Sequence, residues 1–288
     1  MLTLSTEILN AGEAYPAIAR GINTAVIQDG TTFLSNDALI NLTGIDTLRF
    51  EANDCEIEHL YGYDSKGSQV ISGTALSTTS AKKIVIDGTA TTRYLCYKNA
   101  NVEEVVLGSN VSSIPENAFG DNTKLSRVVC DGIINVAFYA FSGCSKLSSF
   151  TFNKVETIGQ RSFAYCSNLG GDIDFTKLTS IDGYAFTQCR ARASVVLREC
   201  LQTLAGYAFY QWYGLEEITL PRSLTIINPS TFAYCSSLRK VTILNKNAHI
   251  DSTAFTGCPE TMEIHGYIDS TAHTFATENG FTFIPIEE

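Results

Sequence analysis

The sequence has little of what most function classes require. In 288 residues tryptophan occurs once, methionine twice, histidine four times and proline six times. Charged residues make up 17%, against roughly 25% in an average globular domain. The net charge is −10 and Lys and Arg form no cluster, so a nucleic-acid partner is not expected. No apolar run approaches the ~18 residues of a membrane-crossing helix, so membrane insertion is not expected either. H-E-x-x-H, C-x-x-C, G-x-S-x-G, P-loop and dinucleotide glycine patterns are all missing. His59, His249, His265 and His273 stand in no ligand spacing and read as solvated surface groups. Asp172 and Asp174 flank Ile173 on one strand face, which offers no pocket to shift a carboxyl pKa, so they too read as solvated. The expectation is a non-enzyme with no catalytic residue, no metal and no cofactor. Met1–Arg20 lacks a basic start and an apolar core and does not read as a secretory signal.

What is present is one phrase said seven times. Phe119, Phe141, Phe163, Phe186, Phe209, Phe232 and Phe255 follow one another at 22, 22, 23, 23, 23 and 23 residues. Five residues before each stands an aliphatic: Ile114, Val136, Ile158, Ile181, Leu204, Ile227 and Ile250. A small residue precedes each Phe. Three after it comes Cys144, Cys166, Cys189, Cys235 or Cys258, with Asn122 and Trp212 as the exceptions. Six after it comes Leu125, Leu147, Leu169, Leu215 or Leu238. Nine and eleven after it stand apolar pairs such as Phe150 and Phe152, Val195 and Leu197, Ile218 and Leu220. Ile173 and Phe175 fit with a one-residue slip.

The apolar pairs alternate as a strand does, because every second side chain points the same way. The small-residue–Phe segment is too short for a full helix and reads as a helical or 3₁₀ turn that aims Phe inward. One unit cannot bury its own apolar edge. Stacking units at about 4.8 Å per coil buries each column against its copy. A fixed period of this length is the mark of a solenoid of leucine-rich-repeat type. The expected fold is an α/β solenoid: a right-handed coil of short parallel strands, about ten coils, capped at both ends.

The phrase resembles the BspA-type leucine-rich repeat, I-x-x-x-A-F-x-x-C-x-x-L-x-x-V-x-L. The fullest copies are Ile158–Leu169, Ile181–Cys189 and Ile227–Ile243, and the resemblance runs over residues 34–284. It implies fold directly. It also implies surface or secreted proteins that bind host or bacterial partners, a role the repeat residues themselves do not encode.

Four segments are expected. Residues 1–32 show no repeat and read as an N-terminal cap. Residues 33–110 hold worn repeats, with Leu39 and then Cys96 in the Phe place. Val70, Ala75, Ala81, Ile84 and Ile86 form another weak copy, and residues 51–69 read as an insertion. The alternative is a small separate β domain over residues 1–90. Residues 111–265 are regular repeats. Residues 266–288 read as a C-terminal cap, with Ser270 starting a short helix, Gly280 ending it, and Phe281, Phe283 and Ile284 in a last strand.

The nine cysteines follow the repeat. A line of thiols facing a packed interior suits small apolar groups better than a tetrahedral zinc site. The outward strand residues form a mixed, mildly polar ribbon. One feature stands apart: Tyr139, Tyr184 and Tyr207 share the place two before Phe, and Tyr210, Trp212 and Tyr213 crowd the following turn. Clustered Tyr and Trp make binding hot spots, so these six are the candidate partner-binding residues. The competing reading puts Trp212 in the core and the tyrosine stems over the turn edges. Two functions follow: an adhesion or binding module facing a protein or glycan, or a structural part of a larger assembly such as a phage virion or surface appendage. An extracellular or cell-surface place is expected from the resemblance, with virion and cytoplasm as alternatives. The chain would act as a monomer or as an assembly subunit.

Overall fold

The structure is a computed structural model. It describes residues 2–4, 24–28, 31, 33–34, 45–51, 56–57, 59–63, 69–74, 76, 79–87 and 95–287. The chain is a parallel-strand β-solenoid of about nine turns with few helices. It divides into two compact units, Met1–Ile133 with Tyr139–Thr151, and Ile134–Phe138 with Phe152–Glu288.

The first unit holds β1 (Leu2–Leu4), β2 (Thr24–Ile27), β3 (Phe33–Leu34), β4 (Thr47–Phe50), β5 (Glu56–Ile57), β6 (His59–Tyr63), β7 (Gln69–Thr74), β8 (Lys83–Ile86), β9 (Glu104–Leu107), β10 (Ser113–Ile114) and β11 (Arg127–Cys130). Its main sheet runs β1-β2-β4-β8-β9-β11, and the register aligns Leu2, Ala25, Leu48, Ile84, Val105 and Val128. The parallel ladder therefore reaches back through residues expected to hold no repeat. The weak copy assigned to Val70 is also corrected: Val70 lies in an antiparallel β6–β7 hairpin. That hairpin lengthens the step from Leu48 to Ile84. Leu39 and Ala75 lie outside the described residues. Cys96 does hold a Phe place, with its amide donating to Ala118 O at 2.6 Å.

The second unit holds β12 (Asn135–Val136), β13 (Thr157–Ile158), β14 (Gly171–Phe175), β15 (Ser180–Ile181), β16 (Ala193–Leu197), β17 (Thr203–Leu204), β18 (Leu215–Leu220), β19 (Ile226–Ile227), β20 (Lys240–Ile243), β21 (His249–Ile250), β22 (Glu263–Gly266), α1 (Thr271–Asn279) and β23 (Thr282–Pro285). The wide strands pair in parallel in the order β14-β16-β18-β20-β22-β23. The two-residue strands at the aliphatic place pair as β12-β13-β15-β17 and as β19-β21. The one-residue slip is absorbed at Gly170 and Gly171. Gly171 has φ +91°, and a Cβ on Gly170 would lie 2.4 Å from Arg192 O. Phe150 and Phe152, expected in a strand, belong to none; that repeat makes one bridge, Arg127 to Ser149. Phe150 instead packs edge-on against Phe141, and Phe152 against Phe163 and Phe175.

The turn side differs from the expected helical or 3₁₀ turn. Ala185 N donates to Asp182 O at 3.3 Å with Tyr184 at φ +60°, and Cys189 N donates to Phe186 O at 3.4 Å with Gln188 at φ +57°. These are two sharp β-turns, each with its third residue in the left-handed region, where glycine usually sits. The pattern recurs from coil to coil at Asn117, Tyr139, Arg161, Tyr207 and Ser230, two before Phe. It recurs again at Asp121, Tyr165, Gln211 and Tyr234, two after.

Neighbouring coils are joined by backbone hydrogen bonds on this side too. Phe186 N donates to Ala208 O (2.8 Å), Phe209 N to Thr231 O (2.9 Å) and Phe232 N to Ala254 O (2.9 Å). Each donation runs from an earlier coil to a later one. Beside the strands donations run both ways: Gln202 N donates back to Thr179 O and Glu263 N to Arg239 O, while Ala193 N donates forward to Gly214 O.

Between the two ladders lies the Phe column. Phe163, Phe186, Phe209, Phe232 and Phe255 stack with centroids 5.3–5.4 Å apart and planes within 11°. All seven Phe of the column are at most 2% exposed. The cysteines have a polar use besides filling space. Cys144 Sγ donates to Phe119 O (3.1 Å), Cys235 Sγ to Phe209 O (3.2 Å) and Cys258 Sγ to Phe232 O (3.2 Å). Asn122 does the same with its amide, to Cys96 O at 2.7 Å and Phe119 O at 2.9 Å. The third-after-Phe place thus selects a hydrogen-bond donor. All eight described cysteines are free thiols.

At the C-terminal end Ser270 Oγ accepts from His273 N, and Gly280 closes α1 at φ +76°. Phe275 lays its ring edge-on to Phe255 at 5.8 Å, and β23 pairs with β22.

Removing one ring from the column should open a cavity that a close-packed interior cannot fill. Phe209→Ala should cost about 3–5 kcal/mol of local stability, read as lost hydrogen-exchange protection at Phe186 and Phe232 amides. Burial pushes the thiols of Cys144, Cys189 and Cys235 far above their usual range and that of Cys258 up to about 12. Unfolded thiols titrate near ~8.5. The folded pKa is the higher one, so the stabilisation is complete below ~8.5 and is lost as pH rises toward the folded values. Urea midpoints should therefore fall progressively above about pH 8.5–9, less so in Cys189→Ser.

Candidate partner-binding surface

The left-handed corners explain why tyrosines gather on one edge of the second unit. A residue at positive φ turns its side chain out of the turn, so the corner columns line the surface while Phe points inward. A left-handed residue other than glycine costs roughly 1–2 kcal/mol. The corner two after Phe is left-handed in all seven coils and the corner two before it in six, Thr253 being the exception, so the fold imposes the geometry and the residue type is largely free to serve the surface.

The rings make one band. Arg161 holds its guanidinium 5.0 Å from the Tyr184 ring. Tyr207 stacks on Tyr184 at 4.7 Å with planes 13° apart. Tyr210 stands 5.5 Å from Tyr207 and edge-on to Tyr234 at 5.7 Å. Burial among the other phenols pushes the Tyr210 hydroxyl pKa up. Tyr234 lies over Gly257, where a Cβ would meet its ring at 2.5 Å, so that glycine makes room for the ring as well as the turn. Tyr165 stands in the same column as Tyr234, three coils earlier. The two coils between are bridged by Gln188 Nε2 donating to Gln211 Oε1 at 3.0 Å. Tyr165, Tyr207 and Tyr234 are 48%, 36% and 47% exposed.

Of the six residues expected here, Tyr184, Tyr207 and Tyr210 are brought together. Tyr213 turns to Arg190, whose guanidinium lies 5.7 Å from its ring. Tyr139 belongs to the first unit, half-buried at φ +56°. Trp212 is corrected: it is fully buried, stacked on Phe186 at 5.4 Å and Phe209 at 5.9 Å, with Nε1 donating to Ala191 O at 3.1 Å. It takes the place of a ladder thiol and keeps the donor. Tyr165 and Tyr234 were missed, although each stands in the same three letters, Ala-Tyr-Cys, after a column Phe.

The strand ribbon on the opposite side is more engaged than a solvated face. Asp174 is exposed, as expected, and Arg198 also grips it with two guanidinium nitrogens and holds its carboxyl below the usual range. Arg192 pairs with Glu216 and Arg239 with Glu217. Two histidines also depart from the expectation. His265 Nε2 lies 2.8 Å from Glu263, and His273 stacks on Phe283 at 4.3 Å.

A family model described as BspA-type leucine-rich repeat region matches residues 89–177 and 171–276, in six copies. The chain belongs to this family. Among solved structures, a leucine-rich repeat protein of Bacteroides ovatus aligns over 91% of this BspA-type chain and 77% of its own, at 14% identity and a TM-score of 0.57. The Treponema pallidum leucine-rich repeat protein aligns over 65% of this chain and 83% of its own, at 21% identity and a TM-score of 0.41. A leucine-rich cell surface protein of Faecalibacterium prausnitzii covers 100% and 84%, at 16% identity and a TM-score of 0.42. A search of curated proteins gives no match.

Where the BspA-type corner holds a non-glycine residue at positive φ, glycine should relieve it. Ser230, at φ +54°, uses its amide and not its side chain to bind Thr253 Oγ1 at 3.2 Å. Ser230→Gly should stabilise the second unit by about 0.5–1 kcal/mol, seen as a rise of a few degrees in melting temperature.

Proposed function

We propose that the chain is a non-enzymatic binding module that offers its tyrosine edge, from Arg161 to Tyr234, to a protein partner. The observation that carries this is the exposure of Tyr165, Tyr207 and Tyr234 in one band buttressed by Tyr184 and Tyr210. Tyrosine supplies contact area with few rotatable bonds plus a hydroxyl at the wet end, which is why it dominates binding hot spots. A protein suits this band better than a glycan. Sugars lie on open ring faces, and both faces of Tyr184 are taken, one by Arg161 and one by Tyr207. What is offered is ring edges and hydroxyls. The three-coil reach from Tyr165 to Tyr234 is about 14 Å at ~4.8 Å per coil, enough for a hot-spot core. Membership of the BspA-type family, in which surface proteins are common, supports a cell-surface or extracellular place.

A screen against extracellular proteins should yield a partner whose affinity falls at least about thirty-fold, some 2 kcal/mol, in Tyr165→Ser/Tyr207→Ser/Tyr234→Ser. Thr219→Arg/Thr242→Arg, on the strand ribbon, should leave that affinity unchanged. The reverse pattern, with the ribbon variant inactive and the tyrosine variant intact, would move the binding face to the strands.

A further inference from the structure

The corner amides of the second unit donate forward, and at the last coil they run out of acceptors. Phe209 N and Gln211 N donate to Thr231 O and Ala233 O (both 2.9 Å); Phe232 N and Tyr234 N donate to Ala254 O (2.9 Å) and Thr256 O (2.7 Å). The next amides in this series belong to Phe255 and Gly257. Neither has an acceptor among the described residues. The sense of the ladder points both past the last coil. There the chain turns into α1 in place of a further coil, and a cleft of about 230 Å³ lies between. Phe255, Gly257 and Glu260 line it from the coil, and Phe275, Asn279 and Phe281 from α1 and its exit.

The walls decide which oxygens fit. Backbone amides set close together commonly hold an anion. Here the surrounding charge opposes one. Glu260 is exposed and has no ion-pair partner among the described residues. α1 brings its C-terminal end, where the helix dipole is negative, and its last turn holds no basic residue. From Asn247 to Glu288 the sequence has seven Asp and Glu and no Lys or Arg, in a chain of net charge −10. The oxygens must therefore be neutral and arrive with a positive charge. Peptide carbonyls two residues apart meet the first condition, as Ala254 O and Thr256 O do for the amides one coil earlier. A Lys or Arg side chain meets the second. The cleft is smaller than the ~300–1,000 Å³ of small-molecule sites, which suits a chain lying across it.

We propose that this cleft binds a short basic peptide segment of a partner protein, which adds one rung to the corner ladder. Two carbonyls of the segment, two residues apart, take the amides of Phe255 and Gly257, so that backbone supplies the affinity as it does when a strand joins a sheet edge. A small side chain between them lies on the rings of Phe255, Phe275 and Phe281. A Lys or Arg of the segment pairs with Glu260 at the rim. The cleft adjoins Tyr234, whose ring lies against Gly257. It works through amides and charge, however, and stands or falls apart from the tyrosine band.

The test is titration of the full chain, at fixed ionic strength, with three probes: an acetylated and amidated hexapeptide of alternating lysine and alanine, its glutamate-for-lysine counterpart, and spermidine. It is read by calorimetry and by hydrogen exchange at individual amides. The lysine peptide should bind saturably and slow exchange of the Phe255 and Gly257 amides by about ten-fold or more at saturation. The glutamate peptide should not bind, and spermidine, which has charge but no carbonyl, should leave both amides unprotected. Glu260→Gln should weaken the lysine peptide by about five-fold or more. Ser252 is exposed and lines the cleft, so Ser252→Trp should block the peptide with the melting temperature unchanged. Tyr165→Ser/Tyr207→Ser should bind it as the parent chain does. The assignment is overturned if the lysine peptide leaves both amides unprotected, if spermidine protects them equally, or if the Ser252→Trp chain binds the peptide as well as its parent. Protection that grows with protein concentration alone would give the cleft to a second copy of this chain and overturn it too.

Discussion

Each coil must satisfy its peptide groups against neighbours at two separate places, and the rest of the structure follows from that requirement. A coil here holds only short strands and tight turns, so most of its peptide groups pair with the coils on either side. The strand ladder serves one side, as in Gln202 N to Thr179 O, and the corner ladder serves the other, as in Phe209 N to Thr231 O. With both ladders in register, the Phe rings lie 5.3–5.4 Å apart without further adjustment. The thiols then meet the carbonyl that each Phe contributes to the coil after it. An unmet carbonyl in that interior would cost roughly 1–3 kcal/mol, so a weak sulfur donor suffices to hold the column. Trp212 and Asn122 show the rule from the other direction: their shapes differ entirely from cysteine, yet both place an N–H on a backbone carbonyl of the preceding coil.

The column residues were legible in the sequence because burial and donor chemistry together leave few choices there. Phe, the aliphatic five before it and the small residue beside it each answer one fixed neighbour. The N-terminal strands were not legible. Leu2 and Ala25 are spaced like the later columns, but no Phe column accompanies them, and a two-residue apolar alternation is too brief to stand out. The β6–β7 hairpin was hidden for a related reason: an insertion between coils answers to its own pairing and not to the period. The corner geometry was masked because positive φ is normally announced by glycine, and here tyrosine, glutamine and arginine occupy it.

The surface was partly legible. Tyr184 and Tyr207 share a phase and do stack, whereas Tyr165 and Tyr234 needed a second phase, two after Phe, to be noticed. Groups that meet across coils are separated by one period or more in sequence, as Asp174 and Arg198 are, or Arg222 and Tyr267. No local motif can report such pairs. A reading that first lays the chain out in rows of 23 and then inspects the columns would have found most of them.

The nearest-neighbour bonding of both ladders also bears on how such a chain meets mechanical load. Within either unit a pull along the stack passes from coil to coil, since each is bonded only to the one before and the one after. The outermost coil, held by one neighbour and not two, is the one that releases both ladders first. Each release frees a loop of about 23 residues, some 75–80 Å of slack at ~3.4 Å per residue. A tether of this kind lengthens in equal steps and absorbs shear repeatedly, while the coils not yet reached keep their shape.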